Sequence, residues 1–480
     1  MVQSRPAPAG SAPAGSPPAS SGVTSVVGFL VVLEFASGIL QGWLPALLPG
    51  IVAQYGTTAA EANWVSAVYL LSSTVCVPLM SKLGDRYGHR RLLVVAAALV
   101  AVGSVLVAVA PTFGILLLGR AVQGPLGAFL SLEFAIVRER AGARAGRAVG
   151  LLIGALAIGG SLGLLLGGVT RQYLSLSATL WVPAVVMILA VPVAALLVPE
   201  TTHRTPGRID WAGAALLSVG LVLLLAAVGN GGAWGWTDTR TVGGILGGLA
   251  TLVGWIAVER RIAHPFVDLS LVLRGGLGLP ILAGLLIGAE LYGSQTAGAL
   301  FLGLPTSTGF GLGLTPGLLG LVLLAFGAAA FVGTWLAPRL AERVGNRAAI
   351  TSGSLLTATG YVLTALVHGS VGAFVVWQVL VGVGNGLVLA ALSVYVVAHA
   401  PADSVGISSG LFNAARSVGG AVSGAAFAAV MAALLVRLPG LPRPITAEAG
   451  YVTVWLVCAA LAVGVCGLAV LLDRSRDRVP

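Results

Sequence analysis

From its twenties to its last residues the chain alternates long apolar stretches with short polar breaks. Apolar runs of about twenty residues can each cross a hydrocarbon core about 30 Å thick as a helix. Six spans are expected first, at Val26–Leu48, Trp64–Leu83, Leu92–Ala110, Gly114–Val137, Ala148–Thr170 and Ala178–Val198. After a polar break come Trp211–Val228 and Thr241–Val258. Six more follow, at Leu277–Leu302, Pro316–Leu336, Ala348–Val367, Phe374–His399, Gly406–Val436 and Val452–Leu472, which makes fourteen. Met1 to Ser21 is rich in Pro, Ala, Ser and Gly without apolar periodicity, so a disordered cytoplasmic tail is expected there. It is not read as a signal peptide, because Arg5 alone makes a weak n-region and the first apolar run is too long for an h-region.

Composition agrees with the pattern. The 480 residues are 57% hydrophobic and 9% charged, against about 25% charged in a soluble domain. The class is therefore a multi-pass helical membrane protein in contact with the lipid bilayer. A net charge of +10 would suit nucleic acid, but the basic residues fall in short clusters between spans, as the positive-inside rule produces. With even-numbered loops and both tails inside, 20 of the 26 basic residues lie inside and four outside. That bias predicts cytoplasmic N- and C-termini and rules against nucleic acid as a partner. Cys76, Cys458 and Cys466 lie in apolar runs without ligand spacing. The five histidines stand at or near span ends without a second ligand, so no metal or cofactor is expected. An ATP-driven pump is excluded within this chain, since its only lysine, Lys82, follows no glycine-rich phosphate loop. No nucleophile–base set is visible in the spans, so an enzyme is not expected.

Polar landmarks repeat. Glu34 precedes Asp85 by 51 positions, and Glu290 precedes Glu342 by 52. Each half reads as a carboxylate in its first span, an acidic-Arg-x-Gly loop after its second, and Arg120/Gly124 or Gln378/Gly382 in its fourth. Parallel six-span repeats are a transporter architecture with the site between them near the midplane. The expected organisation is a tail (1–22), a six-helix bundle (23–198), a linker with two extra helices and an interfacial segment (199–276), a second bundle (277–473) and a tail (474–480). The interfacial segment is placed at Glu259–Arg274, with Ile262, Phe266, Leu269 and Leu273 at helical spacing.

Gly84-Asp85-Arg86-Tyr87-Gly88-His89-Arg90-Arg91 resembles the signature loop after span two of the major facilitator superfamily, and Arg120-Ala121-Val122-Gln123-Gly124 resembles its fourth-span motif. Arg208-Ile209-Asp210-Trp211-Ala212-Gly213, Trp234-Gly235-Trp236 and Val258–Leu269 are similar to the insert of its fourteen-span drug:proton antiporter branch. The resemblance implies an all-α membrane protein of two six-helix bundles plus two inserted helices. It also implies proton-coupled efflux of amphipathic small molecules by alternating access. The chain departs from the family at Ser81, at His89, at Leu164 (where antiporters usually carry Pro) and in lacking an Asp-x-Thr run in the first span. A symporter or facilitator for a polar solute is the alternative, and a non-transporting sensor a more distant one.

Glu34 lies about nine residues, or roughly 14 Å, into its span, and Glu290 is placed similarly in the ninth. An ionised carboxylate there costs on the order of 2.5–3.5 kcal/mol, so each should face a cavity, find a partner or hold a proton. Both are candidates for proton coupling or for recognising a cationic substrate. Arg120 is read as the single arginine well inside a span, a partner for a carboxylate or an anionic group, while Arg416 is placed in or at the edge of a helix. Gln41, Gln123, Gln295 and Asn385 are candidate uncharged cavity residues; Tyr292 should face away from Glu290; Glu133, beside Arg138 and Arg140, reads as part of a solvated ion pair. Gly159, Gly163 and Gly167 with Gly168, and Gly406 and Gly410, are expected to allow close helix approach. By resemblance, Gly84, Asp85, Arg86, Gly88 and Arg90 form a gating loop, with Asp85 capping the helix that opens at Gly406–Ser409. Glu342, Arg343 and Gly345 would mirror it, with Glu342 capping the fifth span near Arg147. The transporter is expected to work as a monomer on a small-molecule substrate and protons.

Overall fold

The structure is a computed structural model describing residues 20–141, 145–201, 204, 210–262, 276–399, 405–438 and 444–472. The expected N-terminal tail up to residue 19 and most of the expected interfacial segment lie outside the described residues. The first helix already begins at Ser20, inside the stretch expected as tail.

The first six spans are built from α1 (Ser20–Trp43) with α2 (Leu48–Tyr55), α3 (Ala59–Tyr87), α4 (His89–Val109), α5 (Phe113–Val122) with α6 (Phe129–Ala141), α7 (Ala145–Tyr173) and α8 (Leu176–Leu196). The inserted pair is α9 (Trp211–Trp234) and α10 (Thr239–Glu259). The last six are α11 (Gly278–Gly303), α12 (Pro316–Val344), α13 (Asn346–Leu366), α14 (Val371–His399), α15 (Val405–Ala433) and α16 (Glu448–Leu471). Among the described residues thirteen segments are long and apolar enough to cross a bilayer, and the 26-residue α11 stands where a further span was expected. The thirteenth expected span stops at Ala433 rather than Val436; beyond it two-residue strands β1 (Leu435–Val436) and β2 (Ile445–Thr446) pair antiparallel.

Local chemistry sets the breaks. Thr58 closes a capping box with Glu61 at the start of α3, and Thr315 caps α12 with Pro316 in its first turn. Asp210 caps α9. Gly88 alone separates α3 from α4, at φ +107°, and Gly345 alone separates α12 from α13, at φ +86°. Residues with a Cβ rarely adopt such values, so the same glycine-dependent turn occurs twice. The fourth span is interrupted by a 3-10 turn, Gly124–Ala128, whose Pro125 lacks the amide hydrogen that a continuous helix would use.

Packing repeats with the same logic. α1 lies on α7 as α11 lies on α15, and α4 lies on α8 as α13 lies on α16. The broken fourth span packs on α3 as α14 packs on α12. Two long contacts join the first set to the second, α3 with α15 and α7 with α12. The inserted α9 pairs with α10 and leans on α15 and, less, on α3, along that seam. At the end of the bundle away from Asp85 the two sets touch. There Gln172 Nε2 donates to Thr315 Oγ1 at 3.0 Å, and Gly168 meets the backbone of Pro316 and Gly320.

Candidate functional site

Between the two sets of helices lie two neighbouring cavities, or lobes, that share Gln41, Leu156 and Tyr292 in their walls. The larger lobe, ≈ 230 Å³, is walled mainly by apolar groups, among them Leu164 and Leu156 from α7, Leu291 from α11, Phe326 and Phe331 from α12 and Leu389 from α14. The smaller, ≈ 50 Å³, is the more polar of the two and brings together Glu34 from α1, Tyr69 and Ser73 from α3, Tyr292 from α11 and Asn413, Arg416 and Ser417 from α15. An apolar body and a polar end are therefore offered to one ligand.

Glu34 is 1% exposed, yet it contributes to the wall of the polar lobe. Gln41, seven residues or about two helical turns further along α1, lines both lobes and donates from Nε2 to Ser37 Oγ at 3.0 Å. Gln295 and Asn385 line the apolar lobe. Arg416 donates from Nη1 to Asn413 Oδ1 at 2.9 Å and from Nη2 to Tyr292 Oη at 3.2 Å, while its buried Nε has no hydrogen-bond partner. Arg416 thus stands inside the site rather than at a helix edge, and the periodicity of α15 (Phe412, Arg416, Gly419 and Ser423 on neighbouring turns) is the signal that could have placed it.

Three expected site residues stand elsewhere. Arg120, 6% exposed, donates from Nε to the Val65 carbonyl at 2.9 Å and from Nη1 to Gln123 Oε1 at 2.5 Å, with its guanidinium 4.5 Å from the centre of the Tyr69 ring. It meets no carboxylate among the described residues; it ties α5 to α3 through a carbonyl and an amide. Gln123 completes the tie by donating to Ser104 Oγ on α4 at 2.9 Å, and lines neither lobe. Glu290 lines neither lobe; it lies beside Asn385, which does line the apolar lobe, and beside Tyr361 and Cys458, whose thiol donates to the Glu290 carbonyl at 3.7 Å. Tyr292, two residues on, faces the cavity as a different helix face requires. Glu133 is the converse case. It is 0% exposed, next to Glu34, so the expected solvated ion pair with Arg138 and Arg140 does not form.

The expected gating loop is held from a side that the sequence did not suggest. Glu200, just after α8, accepts the Arg90 and Arg91 amides at 3.1 and 3.3 Å and so caps α4. His89 lies 3.1 Å from both Asp85 Oδ1 (through Nε2) and Thr201 Oγ1 (through Nδ1), and Arg90 Nη2 donates to the Ala195 carbonyl. Arg204 donates to the Tyr87 carbonyl at 2.9 Å. Gly84 leaves room for the His89 ring and Leu132, and at Gly88 a Cβ would strike the Glu200 carboxylate. The expected partners of Asp85 and Glu342 lie in the first turns of α15 and α7, where, among Gly406–Ser409 and Arg147, the side chain of Ser408 alone is described, buried and with its hydroxyl unpaired among the described residues.

The glycine stripes separate into two kinds. Cβ atoms added at Gly159, Gly163 and Gly167 would fall 2.3, 2.3 and 2.7 Å from the carbonyl oxygens of Phe35, Ile39 and Trp43, so this stripe locks α7 to α1 within one set of helices. Gly168, on the next face, meets α12 across the two sets. At Gly410 no atom of the described residues lies within 4 Å of an added Cβ. Gly406 lies outside the described contacts.

Known proteins share this chain's sequence and fold. It is 26% identical over 412 residues to the tetracenomycin C resistance and export protein of Streptomyces glaucescens, covering 84% of this chain and 75% of that protein. It is 27% identical over 421 residues to multidrug resistance protein Stp of Mycobacterium tuberculosis, covering 85% and 76%. It is 30% identical over 402 residues to cephamycin export protein CmcT of Amycolatopsis lactamdurans, covering 82% and 80%. Among solved structures, the POT family transporter PepTSo superposes with a TM-score of 0.68 at 14% identity, covering 96% of this chain and 99% of that one. The nucleoside transporter NupG superposes at 0.66 and 14%, covering 94% and 100%. The family model described as Major Facilitator Superfamily matches residues 30–424 and 296–479. Sequence, helix order and the cavity between two repeated helix sets agree: this multi-pass membrane protein belongs to the major facilitator superfamily.

Proposed function

We propose that this protein is a proton-coupled exporter of amphipathic small molecules, working as a monomer in the plasma membrane with both termini in the cytoplasm. The observation that carries the reading is the two-lobed cavity, in which a buried carboxyl group, Glu34, stands at the polar end of a mostly apolar chamber. The apolar lobe suits the body of an amphipathic molecule. A symporter for a polar solute would need a chamber lined with paired polar side chains, and the larger lobe is instead mainly aliphatic and aromatic. The relatives' printed roles in exporting tetracenomycin C and cephamycin, and in multidrug resistance, favour the same direction of transport.

In the proposed cycle the sets 23–198 and 277–473 rock about the cavity. A substrate's polar end and a proton exclude one another at Glu34, and each proton moving inward is driven by about 2.3 kcal/mol per 100 mV. The contact of α7 with α12 closes the outer end, and the Asp85 loop latches the inner end in the opposite state. Glu290, behind the cavity wall beside Asn385 and Tyr361, supports the helix packing. Purified protein in liposomes with an imposed pH gradient tests this, with ethidium, tetracenomycin C and a cephamycin as probes. Accumulation against a gradient that stops when a protonophore is added supports the proposal; no gradient-driven movement of any probe refutes it.

A further inference from the structure

Glu133 stands on α6, in the fourth span, with its side chain fully buried. Among the described residues neither of its oxygens receives a hydrogen bond from a donor group, and Glu34 Oε2 receives none either. The group beside each is the other's carboxyl, and α1 and α6 are in direct contact. A carboxylate accepts and never donates, so two carboxyl groups facing one another without other donors are joined only through a proton. The ionisable groups around the pair are Tyr69 on α3, Arg120 on α5, Tyr292 on α11 and Arg416 on α15. Of these, Arg416 is the cation that shares the polar lobe with Glu34.

We propose that Glu34 and Glu133 form one proton-holding pair, with Glu34 facing the substrate and Glu133 behind it as the positioning residue. One proton stays shared between them, which leaves the pair with a single negative charge that Arg416 balances across the lobe. A second proton, arriving from outside, makes the pair neutral. It leaves toward the cytoplasm when the polar end of a substrate takes the exposed face of Glu34. One proton enters for each substrate exported; for a monocation such as ethidium the exchange moves no net charge and is driven by the pH difference, and no other reactant is needed. The proposal rests on the exporter reading above and adds to it the second carboxyl group with which Glu34 shares its proton.

The test compares the parent with Glu34→Gln, Glu133→Gln and the double variant, all near-isosteric. Ethidium-induced proton release from the detergent-purified protein is read with a pH-indicating dye, and ethidium exchange down its own gradient is read in liposomes. Difference infrared spectra, parent minus variant, report the carbonyl band of protonated carboxyl groups without any need for transport. Proton release at neutral pH should fall at least tenfold in both single variants, with a positive protonated-carboxyl band in both difference spectra and ethidium exchange retained in Glu133→Gln. The Glu133→Gln substitution gives Glu34 an amide donor, so a lone carboxylate no longer requires the shared proton. A Glu133→Gln protein that releases protons as the parent does, or shows no such band, overturns the pair and leaves the exporter standing. A parent that releases no proton on binding a transported probe overturns the coupling itself.

Discussion

Gly168→Ala should shift the balance between the two arrangements of the transporter. A methyl carbon at Gly168 would lie 2.2 Å from the Pro316 carbonyl oxygen and 2.9 Å from the Gly320 Cα, both backbone of α12 in the opposite set of helices. Ordinary contact needs about 3.5–4.0 Å between carbon atoms, and backbone cannot swing aside as a side chain can. The two helices must therefore part by about 1 Å at this point. Overpacking of that kind costs about 1–3 kcal/mol, and it falls only on the arrangement in which these ends touch. The greater helix propensity of Ala over Gly, about 1 kcal/mol, is present in both arrangements and cancels. The closed-to-open ratio at this end should drop by about 5- to 150-fold. Pulsed electron–electron distance measurements between spin labels at Tyr173 and Leu318, both exposed, would show a longer-distance population growing. Gly410→Ala, at a position where no described atom would lie within 4 Å of the added methyl, is the control and should change nothing. Identical distance distributions for Gly168→Ala and the parent would refute the reasoning.

Other changes should separate stability from gating. Gly163→Ala puts a methyl 2.3 Å from the Ile39 carbonyl oxygen within one set of helices; it should lower thermal stability by about 1–3 kcal/mol and leave the Tyr173–Leu318 distance unchanged. Arg120→Ala should destabilise the purified protein in thermal unfolding, and Arg120→Lys should not restore it, because one ammonium cannot reach the Val65 carbonyl, the Gln123 amide and the Tyr69 ring together. Glu200→Ala removes the cap of α4, a loss of about 0.5–2 kcal/mol; hydrogen exchange at the Arg90 and Arg91 amides should accelerate by about 2- to 30-fold, and unchanged exchange would show that the cap contributes nothing.

The lines of the fold were legible because lipid solvation acts on each span separately. Apolar length gives the spans, and Gly88 and Gly345 mark the same turn twice whatever surrounds them. The site was less legible because it depends on which faces of distant helices meet. Glu133 shares its short helix with Arg138 and Arg140, and along the chain it looks like part of a solvated cluster. Only the packing of α6 on α1 shows that it faces Glu34. Arg416 follows the small polar start of α15, which hid its depth in the helix. Arg120 was correctly placed inside a span, yet its partners are a carbonyl and an amide, groups that every sequence supplies and none advertises. The hold of Glu200 on the Asp85 loop joins residues 110 positions apart and leaves no periodic trace.

The central claim is that Glu34, at the polar end of the cavity, couples protons to substrate. Transport of ethidium in liposomes under an imposed pH gradient, for the parent, Glu34→Gln and Glu290→Gln, tests it most directly. The account predicts that Glu34→Gln loses accumulation against the gradient while still exchanging probe downhill, and that the variant Glu290→Gln, at a position that lines neither lobe, remains coupled. Proton-driven accumulation by Glu34→Gln at the parent's rate would contradict it.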